Sequence, residues 1–95
     1  MPQTNEDIFK TIRTQDVTLT TAEESYLIPG YPIPNRKLLI IYNNSAWNIF
    51  IGGSDVTTSN GLPLKTGDYI ILSIPNFVYA VSEHNAQTIY IMELS

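Results

Sequence analysis

Arg36-Lys37-Leu38-Leu39-Ile40-Ile41-Tyr42-Asn43 runs through the break Asn44-Ser45-Ala46 into Trp47-Asn48-Ile49-Phe50-Ile51. Two β-prone apolar runs around a short polar turn read as strand, turn, strand, and they predict a β-hairpin. The first run is apolar on both sides. Successive side chains in a strand point opposite ways, so Leu38, Ile40 and Tyr42 share one face while Leu39 and Ile41 share the other. The same two-sidedness recurs in residues 69–74 and 77–81, and in 88–94, where Ile89 and Ile91 oppose Tyr90, Met92 and Leu94. A two-sheet sandwich buries one face of each sheet and leaves the other to water. Strands with two apolar faces in a small domain therefore need a second cover. A closed barrel, a folded-over arm or Pro-rich loop, or a neighbouring subunit can supply it.

Working outward, the period of two continues towards the N-terminus. Val17-Thr18-Leu19-Thr20-Thr21 alternates apolar and polar, and Ser25-Tyr26-Leu27-Ile28 is a second short run. Residues 29–35 hold three prolines and a glycine, a stiff loop that cannot continue a sheet. Towards the C-terminus, Gly52-Gly53-Ser54-Asp55 ends a strand and the polar excursion 57–61 closes on an Asn60-Gly61 turn. Leu62-Pro63-Leu64 then leads into the turn Lys65-Thr66-Gly67-Asp68. Seven or eight strands at this spacing predict an all-β fold: one small antiparallel β-sandwich over residues 16–95, Ig-like or jelly-roll-like.

Residues 1–15 depart from that pattern. Ile8 and Ile12 stand four apart with Phe9 beside them, which suits one face of a short helix capped by Thr4-Asn5-Glu6-Asp7. An extended arm is the alternative, since so short a helix is marginal alone. In either form Ile8, Phe9 and Ile12 are apolar side chains the sandwich has no evident need to bury, and they are candidate partner-binding residues.

Composition narrows the function classes. At 95 residues there is room for one domain, and 43% hydrophobic residues mark it as globular. Only 15% are charged and the net charge is −4, with five scattered cations, so a nucleic-acid backbone is not an expected partner. The longest apolar run, residues 38–42, is far too short to span a membrane. Met1-Pro2-Gln3-Thr4-Asn5-Glu6-Asp7 lacks the basic start and apolar core of a secretory signal, so the chain is expected to be made and kept in a cytoplasm. Without cysteine there are no disulfides or thiolate metal sites, and stability must come from packing, association or both.

Little in the chain suggests catalysis. His84, the single histidine, lies between Glu83 and Asn85 in a predicted turn; adjacent turn residues rarely face one another, and no nucleophile accompanies it. Asp55 and Asp68 are too isolated for a calcium loop and suit turns instead. Gly52-Gly53-Ser54 lacks the lysine and the following helix of a phosphate loop. No catalytic residue, metal site or cofactor is expected. Trp47, the single tryptophan, starts a strand just after a turn. It serves either as a sugar-stacking platform or as a core or interface anchor, which makes it the fourth candidate partner-binding residue.

One resemblance takes the reading further. The strand ending in Asn43-Asn44-Ser45 is followed by Ile49-Phe50-Ile51-Gly52 and by Asp55-Val56-Thr57-Thr58-Ser59-Asn60-Gly61-Leu62-Pro63-Leu64. The turn Lys65-Thr66-Gly67-Asp68, then Val78-Tyr79-Ala80-Val81, and finally Met92-Glu93-Leu94 complete the series, with Val17-Thr18-Leu19-Thr20 as its opening. This succession resembles a pattern in the small virion proteins of tailed bacteriophages. The resemblance rests on strand and turn patterns, not on catalytic signatures, and residues 1–15 fall outside it. It implies capsid decoration or another accessory head role, with a head-fibre or spike part that holds host glycan, or a small tail or neck adaptor, as alternatives. The second apolar faces of residues 38–42 and 69–74 predict self-association through strand faces, with a trimer expected for a capsid component. The resemblance adds the major capsid protein or another virion protein as partner. Localisation would be the virion, assembled in the host bacterial cytoplasm.

Overall fold

The computed structural model describes residues 11–95. Eight strands form: β1 (Ile12–Leu19), β2 (Tyr26–Leu27), β3 (Leu38–Tyr42), β4 (Ile49–Gly52), β5 (Leu62–Leu64), β6 (Tyr69–Leu72), β7 (Tyr79–Ser82) and β8 (Gln87–Leu94). They make two antiparallel four-stranded sheets in the orders β1-β8-β3-β6 and β2-β7-β4-β5. The pairings β1·β8, β2·β7, β3·β6 and β4·β5 show the logic: the chain is one long hairpin rolled up on itself. Two further pairings, β3·β8 and β4·β7, close the roll. This is the jelly-roll order, so the expected sandwich is of that type and not Ig-like.

Inward-facing side chains of both sheets fill the core. Leu19, Leu39, Ile41, Ile89 and Ile91 come from the first sheet, and Ile49, Ile51, Leu64 and Ala80 from the second. Val17, Ile70, Leu72 and Tyr26 pack around them, as period-two alternation requires.

Two expectations are corrected. Residues 36–51 do not form a hairpin: β3 lies in the first sheet and β4 in the second. The cause is Asn43, whose side chain is fully buried and donates to the carbonyls of Trp47 at 2.9 Å and Leu64 at 2.8 Å. By holding β5 and the approach to β4, it steers residues 43–48 across to the other layer instead of back along β3. The strand start also lies earlier than residue 16. Ile12, Arg13, Thr14 and Gln15 pair with Leu94, Glu93, Met92 and Ile91, so β1 covers the full length of β8. Ile12 is thus a strand residue and belongs to no helix or arm, whereas Ile8 and Phe9 lie outside the described residues.

Each sheet solves its outer face differently. On the second sheet Val81 and Phe50 stand side by side, and residues 53–61 fold over them. Val56, 6% exposed, plugs this cover between Gly52 and Gly61. The loop reaches the β2 side, where Ser25 Oγ donates to the Ser54 carbonyl and Thr58 Oγ1 to Glu23 Oε1. The close fit needs Gly61, because a Cβ there would stand 2.7 Å from both Phe50 Cβ and Val56 Cγ2. Gly61→Ala is expected to cost about 1–3 kcal/mol through overpacking. Gly30→Ala, where a Cβ would meet nothing within 4 Å, is the near-neutral comparison, and urea midpoints of the two variants measure the difference. The cover on this sheet is therefore residues 53–61, and not the Pro-rich segment. The Pro-rich segment instead closes one end of the sandwich through Ile28, Pro29 and Ile33, all buried.

Candidate functional site

The outer face of the first sheet has no such cover among the described residues. Register sets its side chains in rows across the strands. Tyr90, Tyr42 and Tyr69 form one row, with Asp16 at the β1 end. Met92, Ile40 and Ile71 form the next, with Thr14 at its end, and Ile12, Leu94 and Leu38 a third. Tyr42 and Tyr90 stack with ring centroids 6.4 Å apart. Tyr69, Ile12, Ile71 and Tyr90 are 65%, 64%, 53% and 50% exposed, where a monomer's large side chains are normally turned inward. A shallow depression of about 430 Å³ lies between β1 and β3, lined by Thr14, Asp16, Ile40, Tyr42, Tyr90 and Met92. Asp16 is the one acidic or basic group among these outward residues. The face is broad and apolar, with Asp16 its one charged side chain among the described residues.

Trp47 and His84 meet at the loop end of the sandwich. Their rings stack at 4.0 Å between centroids with 21° between planes, and Trp47 stays 51% exposed. The loop that carries Trp47 is rigid because the Asn43 amide uses its full capacity: two donors to carbonyls and an oxygen that accepts from Ser45 N–H and Ser45 Oγ. Ser45 Oγ also lies 2.9 Å from the Trp47 carbonyl. The indole is thus an aromatic presented on a fixed base, with His84 held beside it by the bond from its backbone N–H to Ser82 Oγ. Of the four candidate binding residues, Ile12 and Trp47 are both exposed but sit apart. Ile12 belongs to the open face, at the end of the sheet opposite the loop that carries Trp47.

At the end near Ile12 lies a cluster that sequence reading did not single out. Glu93 is fully buried on the inward face of β8. Its Oε2 accepts from Arg36 Nη1 and from the Ile33 backbone N–H, each at 3.3 Å, and Arg36 Nη2 donates to the Asn76 carbonyl. Arg13 Nε stands 3.9 Å from Oε1, too far for a hydrogen bond. Arg36 is itself only 4% exposed, so the pair pins the Pro-rich segment and residue 76 to the sheet from inside. Asp55 and Asp68 sit exposed in loops, and no three His, Asp or Glu side chains among the described residues come together as metal ligands. No protein-family model, curated protein or solved structure matches the chain.

Proposed function

We propose that this protein is a non-catalytic structural component of a tailed-phage particle, a capsid-decorating or other accessory head protein that works by binding protein. The observation that carries the reading is the open face of the first sheet: three tyrosines and an aliphatic field in continuous rows, with one carboxylate at the margin. Apolar area of this extent gains free energy when removed from water and gives a contact that needs no reactive group. The jelly-roll order is used by viral capsid and lectin domains alike, an analogy of fold that fits both a structural and a glycan-binding role. His84, the one imidazole, is stacked against Trp47 and held by its backbone N–H, an arrangement that suits a packing role.

Immunogold labelling tests the reading. Antibody against the chain is expected to decorate intact phage particles purified from a culture that produces the chain. Recovery of the chain solely in the particle-free fraction would contradict it. A second reading, recognition of host-surface sugar, is favoured by the rigidly held and half-exposed Trp47, since an indole face stacks well on a pyranose ring. Glycan-array binding lost in Trp47→Ala with the melting temperature unchanged would select that reading instead.

A further inference from the structure

We infer that the occupant of the open face is the same face of a second copy of this chain. The inference rests on the reading above, that this face makes protein contacts, and it names the partner. Three properties of the surface point to a copy of itself.

The first is area. Ile12, Tyr42, Tyr69, Ile71 and Tyr90 together leave roughly 500 Å² open, taking about 200 Å² for a whole large side chain. The half-buried Leu38, Ile40, Met92 and Leu94 bring the face towards the ~800 Å² per partner of a standard interface. The face is thus close in size to one side of a standard protein interface.

The second is the order of the rows. A two-fold axis crossing the strands between the tyrosine row and the aliphatic row lays the rings of Tyr90, Tyr42 and Tyr69 on Met92, Ile40 and Ile71 of the other copy. Both sheets then pack face to face at the usual spacing of about 10 Å. Ring against aliphatic and ring against thioether are favourable pairings, whereas tyrosine on tyrosine across the axis would hold the hydroxyls together in the dry centre.

The third is charge. A surface meeting itself suffers wherever a charge faces its own image. Here the single carboxylate, Asp16, lies on the edge strand, and the same axis sets it opposite Thr14 of the other copy. Among the described residues no other charged side chain stands in these rows, so face-to-face pairing meets no repulsion at its centre. Pairing one face with itself closes at two copies, so the contact is a dimer contact and not the trimer expected for a capsid component. It leaves Trp47 and His84, at the loop end, outside the buried area and available to a particle.

Light scattering on the full chain decides the matter. The wild type is expected to be dimeric at roughly 100 µM, and Ile71→Glu to weaken association by about a hundredfold by burying an unpaired charge. Tyr90→Glu repeats the test on a central strand in case the first variant folds poorly, and Trp47→Ala should leave the dimer intact. A monomeric wild type, or folded Glu variants that remain dimeric, would overturn the inference. Monomers that still label particles would sink the pairing and spare the structural role; dimers absent from particles would do the reverse.

Discussion

Arg36→Met is expected to lower the stability of the domain by about 3–5 kcal/mol, because it leaves the Glu93 carboxylate buried without the cation hydrogen-bonded to it. Domains hold in total only about 5–15 kcal/mol, so the variant will be near the limit of folding. Arg13 cannot take over: its guanidinium is already bonded to Gln15 Oε1 and stays 3.9 Å from the carboxylate. The double variant Arg36→Met with Glu93→Leu should recover much of the loss, since the desolvation of both charges disappears with them. It will not recover all, because the Ile33 N–H and the Asn76 carbonyl lose their partners as well. Urea unfolding of the three proteins measures this. A single-variant loss below about 1 kcal/mol would mean that the pair is solvated, since exposed pairs contribute no more than that.

Asn43→Ala should be nearly as damaging, at about 2–4 kcal/mol, through the unpaired Leu64 carbonyl and Ser45 N–H it leaves buried. Asn43→Asp is the sharper variant. It keeps the shape but sets a carboxylate oxygen against the two carbonyls that the amide now serves. It is therefore expected to be no better than alanine, and a milder effect from Asp would contradict the hydrogen-bond assignment. Both changes should free the Trp47 loop, so the stack on His84 will break and indole fluorescence will shift before global unfolding.

These two residues also show where sequence reading reaches its limit. Strand positions were legible because Leu38 to Tyr42 and Gln87 to Leu94 are short runs dense in aliphatic, β-branched and aromatic residues. The partner of a strand is not written in such a run. Asn43-Asn44-Ser45 looks like a hairpin turn, and only the buried amide, bonded to Leu64 twenty-one positions on, shows that the chain changes sheet. Glu93 continues the inward set of Ile89 and Ile91, but its cation is 57 positions away and neither residue marks the other. Arg13 and Gln15, facing inward in β1, hid the strand start because an inward polar pair breaks the hydrophobic alternation. Gly52 and Gly61 around Val56 were the available sign that residues 53–61 fold back over a sheet, since closely packed loops call for missing side chains. The need for a second cover was legible in Leu38 to Tyr42. Which sheet is covered among the described residues depends on that loop, and so on tertiary structure.

The open face itself admits a direct measurement. Methyl resonances of Ile12 and Ile71 on the first sheet, and of Val56 in the covering loop and Val81 beneath it, can be followed with a soluble gadolinium chelate in dilute and concentrated samples. In dilute solution Ile12 and Ile71 should be strongly attenuated, being 64% and 53% exposed, while Val56 and Val81 should not. On concentration the attenuation of Ile12 and Ile71 should fall, because the face closes on a second copy. Attenuation that stays the same at both concentrations, or protection that develops around Trp47 instead, would contradict the account.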